Sequence, residues 1–244
     1  MVGRKPKKAW IAALTLALAS CGEPERVVAE RYDSFWLWAG VDAQPALARA
    51  RTLYLLDGEI RALEPGRYAA LRPGVPRVPG KAIWLVVRTD TLDWPDAALP
   101  ALNSRLGRWA AAGNRVEGLQ VDFDARTRGL ARYAAFLRGL RSRLPRAYRL
   151  SVTGLMDWSA NGDPAALAEL RGTVDEVVVQ TYQGRATIPG YDAWFRRMKG
   201  FPLPFKVGLV QDGLWRAPEG LAAEPNFRGY VVFLVNPPRR PATR

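Results

Sequence analysis

Eight short runs of β-branched, aromatic and leucine residues recur along this chain, each separated from the next by enough residues for a helix or a loop. They are Phe35–Val41, Thr52–Leu56, Ala82–Arg88, Gly118–Phe123, Arg149–Leu155, Glu176–Tyr182, Lys206–Val210 and Gly229–Val235. Each is nearly free of internal charge and is bounded by Gly, Pro or Asp, the pattern of strands buried on both faces. Helical periodicity appears between them in four places. Leu102, Leu106, Trp109 and Ala110 line one face of 99–112, and Leu130, Tyr133, Ala134, Leu137, Leu140 and Leu144 line a second helix that Pro145 ends. Asp163-Pro164 opens a third with an N-cap and a proline in the first turn, and Tyr191–Lys199 is a fourth. Alternation of strand and helix requires parallel strands joined by right-handed crossovers, and eight such units predict a closed (β/α)8 TIM-like barrel. One connection breaks the pattern. Residues 58–80 are rich in Pro and Gly without an apolar stripe, which predicts an irregular loop or small hairpin after the second strand.

The ends of the chain lie outside this repeat. Arg4, Lys5, Lys7 and Lys8 precede an apolar run from Ala9 to Ala19 that is too short to span a bilayer, so 1–20 reads as a secretory signal. Small residues then lead to Cys21, the sole cysteine, in the sequence Leu18-Ala-Ser-Cys-Gly22. This arrangement resembles that of bacterial lipoproteins, whose cysteine is lipidated and becomes the new N-terminus. Residues 21–32 are polar and charged and read as a tether, 33–237 as a single barrel domain, and 238–244 as a tail. The expected localisation is the cell envelope, lipid-anchored at the periplasmic face. Gly22 in place of Asp after the cysteine leans towards the outer membrane.

Composition removes whole classes of chemistry. There is no histidine, so there is no Ser-His-Asp or Cys-His nucleophile and no His-based zinc site, and one cysteine makes neither a disulfide nor a redox pair. Carboxylates, Tyr, Lys, Arg, hydroxyls and amides remain. The net charge of +13 falls to +9 when the four basic residues of the signal are removed. The Arg residues are scattered rather than blocked, which speaks against nucleic acid and suits anionic lipid heads or acidic glycans. No cofactor is implied. Asp57, Asp90 and Asp212 end strands, but nothing resembles a spaced calcium loop, so no metal is expected.

Barrels of this kind carry function at the C-terminal ends of their strands. In the fourth run Leu119, Val121 and Phe123 should face the helices, which turns Gln120, Asp122 and Asp124 into the barrel. Three inward polar side chains on one strand are costly unless solvated, paired or used. Other strand ends add Asp157, Gln180, Tyr182 and Asp212. Trp38 shares a face with Trp36, and Trp94, Trp158 and Trp215 each lie close to an acid in sequence. Acids, amides and indoles around one mouth suit a sugar, although packing against the barrel is the plainer reading for any single Trp.

Glu117-Gly-Leu-Gln-Val-Asp-Phe-Asp124 is similar to the fourth-strand motif of family 18, chitinase-like glycoside hydrolases, Asp-Gly-x-Asp-x-Asp-x-Glu. The motif's last aspartate falls on Asp122 and its catalytic glutamate on Asp124, one methylene shorter, while Gln120 stands at its middle aspartate. Val178-Val-Gln-Thr-Tyr182 resembles the strand that ends there in a substrate-binding tyrosine. Over Phe35 to Pro237 the chain more closely resembles the bacterial family known as domain of unknown function 3142. The resemblance is carried by Phe35-Trp-Leu-Trp-Ala-Gly40, Gly118–Ala125, Leu150–Trp158, Val174–Gly184 and Gly229–Asn236. It implies a family without an activity.

The chitinase-like resemblance implies a glycosidase in which Asp124 is the proton donor, Asp122 its charged partner and Tyr182 an orienting hydroxyl. Gln120, Asp157, Trp158, Trp38, Gln180 and Asp212 are the expected substrate-binding residues, and a glycan or polysaccharide the expected partner. Two other readings stay open: a glycan-binding or scaffold lipoprotein without catalysis, and acids paired to Arg that only fill the barrel. The N-terminal reading yields the first expected outcome. Cys21→Ser should leave the protein unprocessed or soluble after export, where membrane retention of the variant in a fractionation experiment would overturn it.

Overall fold

The computed structural model describes residues 23–38, 40–63, 68–124, 129–158 and 164–237. The expected lipidation site, Cys21, lies outside them. All eight strands form: β1 Ser34–Leu37, β2 Thr52–Ile60, β3 Ala82–Thr89, β4 Arg115–Asp122, β5 Arg149–Leu155, β6 Glu176–Gln180, β7 Phe205–Val210 and β8 Phe227–Phe233. They pair in parallel in chain order, and β8 pairs with β1, which closes the barrel. That seam is thin: Val232 is opposite Phe35 and Phe233 opposite Trp36, whereas β2 and β3 register along almost their whole lengths.

The four expected helices are also present, as α1 Ala98–Ala111, α2 Leu130–Arg143, α3 Pro164–Leu170 and α4 Tyr191–Arg197. Short 3-10 turns at Pro45–Arg49 and Leu221–Ala223 serve the first and last crossovers. After β2 the chain makes a hairpin in which Tyr68–Ala70 runs antiparallel on Gly58–Ile60. Replacing helices with such turns is how eight strands close in so short a chain.

Strand alternation sorts the side chains into two layers. Outside the wall, Leu119 and Val121 of β4 join the helix residues Leu106, Trp109, Tyr133 and Leu137 in the larger core. Inside it, Trp36, Tyr54, Leu56, Trp84, Val86, Val178 and Val231 form a smaller one. A chain of polar contacts runs through that interior. Trp36 Nε1 donates to Gln120 Oε1 at 3.0 Å, and Gln120 Nε2 donates to Ser151 Oγ at 2.9 Å. Ser151 and Tyr54 both donate to Glu176 Oε1, at 3.2 and 2.7 Å, and Lys206 Nζ lies 3.3 Å from Glu176 Oε2.

Two expectations are corrected by packing. The segment read as a tether is docked on the barrel from Glu25: Glu25–Arg26 pairs antiparallel with Leu214–Trp215, and Val27 and Ala29 are buried. Asp57 ends no mouth-facing series, because a register shift between Leu56 and Gly58 turns it outward beneath α1. There it is fully buried and is held by Arg105, whose Nε donates to Asp57 Oδ2 at 2.8 Å and whose Nη2 donates to Oδ1. Trp109 Nε1 and the Tyr68 hydroxyl donate to the same carboxylate. Removing one partner of such a pair strands the other charge, so Arg105→Met should cost about 3–5 kcal/mol in urea denaturation. Adding Asp57→Asn should recover part of the loss, since the amide oxygen still accepts from Trp109 while the amide NH2 can donate to the Tyr68 hydroxyl.

Candidate functional site

The C-terminal mouth is built around the last residue of β4. Asp122 is 7% exposed and accepts a hydrogen bond from Thr153 Oγ1 of β5 at 2.9 Å. Its register partner on β3 is Arg88. Burial pushes its carboxyl up to about 6, against opposing effects from Thr153 and Arg88, and the charge of Asp124 adds to the rise. Asp122 is therefore a buried acid that exchanges its proton near neutral pH.

Asp124 lies two residues beyond Asp122, past the end of β4, and is exposed. It lines a shallow groove of about 240 Å³ with Asp90, Asp93, Phe123 and Arg132, and Arg132 pairs with Asp93 at 2.9 Å. The inward alternation of the fourth strand thus holds for Gln120 and Asp122, and burial falls on the second of the two acids expected to react. Burial thus raises the proton affinity of Asp122, the acid that the chitinase-like resemblance implied as the charged partner.

Aromatic rings cap the interior beside this acid. Tyr182, just past β6, stacks on Phe233 of β8 with centroids 5.5 Å apart and planes 4° apart. Phe233 in turn meets Trp36 at 4.9 Å and Trp38 at 6.1 Å. The Tyr182 hydroxyl is held far above the ordinary phenol range, first by burial and then by the Asp122 charge, and it bonds with Gln180. It is a neutral donor or acceptor at every working pH. Under the rings, the space among Trp36, Gln120, Thr153 and Gln180 measures about 10 Å³, room for a single water.

Of the sequence-expected site residues, Asp122, Tyr182, Gln180 and Trp38 come together here, and Gln120 lies directly beneath them. Asp157 is half-buried two residues past β5. Trp158 is not at the mouth. It is buried in the outer layer, 5.9 Å from Tyr133 of α2, because the chain past β5 turns it towards the helices. Trp94 and Trp215 likewise pack outside the wall, against Phe136 and Tyr191. Asp212 sits exposed at φ 65°, in a turn whose amide bonds Val27 O at 3.0 Å. The N-terminal segment takes its backbone amide and carbonyl, while its side chain stays exposed.

Sequence reasoning missed Arg88, Thr153 and Phe233. Arg88 carried a legible signal, as a lone charge near the inward end of an otherwise apolar strand. Thr153 and Phe233 carried none, since a Thr and a Phe within buried strands look like core. Among the described residues there is no cluster of acids fit to hold a metal ion.

Residues 80–194, from β3 through α4, match the model of the family described as domain of unknown function (DUF3142). The match bears out the family resemblance over that span, which includes Asp122, Asp124 and Tyr182 but not the first or last two strands. No curated protein matches the sequence. Solved structures similar to the chain include the Bacillus cereus spore cortex-lytic enzyme SleL, 17% identical, with 73% of this chain and 50% of that one covered at a TM-score of 0.46. The chain thus spans about half the length of that enzyme. They also include the tamarind chitinase like lectin, 12% identical over 83% of this chain and 94% of the other, at 0.48. A xylanase-A-amylase inhibitor protein, XAIP-III, is 11% identical over 83% and 93% at 0.53, a likeness of fold.

A raised acid has a definite linkage sign. Asp122 binds its proton more tightly folded than unfolded, so its contribution is fully present below about pH 4 and is lost as the pH rises through about 6. At pH 8 the buried charge costs about 3 kcal/mol. Asp122→Asn, which keeps an acceptor for Thr153, should therefore be more stable than the wild type at pH 8 by up to that amount. Urea denaturation at pH 4 should show the difference gone.

Proposed function

We propose that this protein is a lipid-anchored component of the cell envelope that cleaves a glycan at the C-terminal mouth of its barrel. The observation that carries this reading is a buried carboxyl, Asp122, poised near pH 6 beside aromatic rings and two residues from an exposed carboxyl, Asp124. Sugar rings stack on aromatic faces, and glycosidic cleavage needs one carboxyl to give a proton and a second charged or basic group nearby. Asp124 faces solvent and is the group that meets the leaving oxygen. Asp122 is protonated below about pH 6 and supports developing positive charge when ionised. Tyr182, neutral throughout, orients a substrate oxygen. The absence of histidine throughout the chain leaves these carboxyls as the acid-base groups.

A second reading, glycan binding without cleavage, is favoured by the closed interior. A space of about 10 Å³ under the rings admits no sugar, so the glycan must lie across the mouth. In that reading the same acids serve as hydrogen-bond acceptors.

Turnover of a panel of envelope polysaccharides by the detergent-extracted protein separates the two. Asp124→Asn should abolish turnover and spare affinity, because it removes the proton and keeps the shape. Wild-type turnover should change as the pH passes through about 6, and Asp122→Asn should depress turnover and remove that inflection. Equal activity in all three proteins would refute the site, and binding without turnover would establish the second reading.

A further inference from the structure

At the mouth a cation stands, among the described residues, without an anionic partner. Arg88 is exposed and lies in register between Glu59 of β2 and Asp122 of β4. Glu59 is already taken by Arg61, whose Nε donates to it at 2.8 Å. Asp122 receives Thr153 and acts on Arg88 only through space. The guanidinium of Arg88 instead lies over the ring of Trp38, 4.9 Å from its centroid. Trp38 adds a second unmet donor, since its Nε1 is buried and has no acceptor among the described residues. A buried N–H is costly to leave unpaired, and a guanidinium stacked on an indole keeps its plane fixed and its N–H edge free.

We propose that the glycan taken at this mouth carries a carboxylate, as a uronic acid does, and that Arg88 and Trp38 Nε1 receive it. This rests on the glycan reading above and adds the substrate class. A carboxylate matches both unmet groups, because its two oxygens can accept from the planar guanidinium and from the indole N–H. A neutral hydroxyl would satisfy Trp38 and leave the charge of Arg88 unused. Arg88 draws the ligand's carboxylate to β3 and the exposed Asp124 repels it, which leaves the bond to be cleaved on the far side of β4.

Calorimetric titration of the full-length protein in detergent tests this with three probes: trigalacturonate, its neutral methyl ester, and chitotriose. Trigalacturonate should bind at least tenfold more tightly than its ester, and Arg88→Gln should remove the difference. Trp38→Phe, which keeps an aromatic ring and deletes the donor, should weaken the acidic probe severalfold and the ester less, because a charged acceptor gains more from the N–H. An exposed Arg on α2 supplies the control for bulk charge: Arg138→Gln should bind as the wild type does. At pH 5, where Asp122 is protonated, Arg88→Gln should keep the wild-type thermal midpoint. Equal affinity for acid and ester, or equal losses in Arg88→Gln and Arg138→Gln, would overturn the proposal. Binding of chitotriose alone would overturn it and leave the glycan reading standing, and silence towards all three would overturn both.

Discussion

Gln120 joins the mouth of this barrel to its floor. Its carbonyl accepts from Trp36 and its amide donates to Ser151, which passes the contact to Glu176, Tyr54 and Lys206. An aspartate at this position, as in the chitinase-like motif, could accept from Trp36 but could not donate to Ser151 when ionised. The substitution is therefore a change of wiring. One amide satisfies both neighbours without adding a charge, and the buried Glu176 lower down finds its counter-ion in Lys206 near the floor. Partly satisfied buried networks are costly, so each of these residues constrains the others. Trp36, fixed by this chain, is one of the rings that cap the interior.

The eight strands could be read from sequence because strands buried on both faces are apolar throughout, and the closed parallel wall follows from their number. The inward turn of Gln120 and Asp122 was legible for a related reason: polar residues alternating with Leu119 and Val121 can face only one way. Tryptophan was harder. Trp158 and Trp215 lie near acids in sequence, yet both faces of a barrel strand and its connections are apolar, so proximity along the chain says nothing about which side of the wall a ring takes. Asp57 was misread because a single extra residue in the register reverses the side-chain order, and no composition signal marks that shift. The docked N-terminal segment was hidden by its charge. Val27 and Ala29 supply the contact while Glu25, Arg26, Glu30 and Arg31 stay at the surface.

The acid pair shows how one strand end separates two environments. β4 stops at Asp122, so Asp122 keeps the burial of the wall while Asp124 emerges into solvent. Two residues of backbone thus divide a proton-holding carboxyl from a solvent-facing one, and the fold carries the stability lost to the buried charge. The outer ion pair of Asp57 and Arg105 illustrates the contrary use of burial. There a carboxylate enclosed by Arg105, Trp109 and Tyr68 has every oxygen occupied and no room for a ligand.

The wall is not equally firm around its circumference. At the meeting of β8 and β1 the described ladder is short: Val232 faces Phe35, Phe233 faces Trp36, and Leu234 N donates to Trp36 O at 3.0 Å. Local opening begins where the fewest buried contacts must be broken, and amide exchange should be fastest along such a seam. Phe233 and Trp36 are also the rings under Tyr182 and beside Trp38, so the cap hangs from the two strands least tied to each other. Breathing of the barrel and parting of its cap are in this sense one motion.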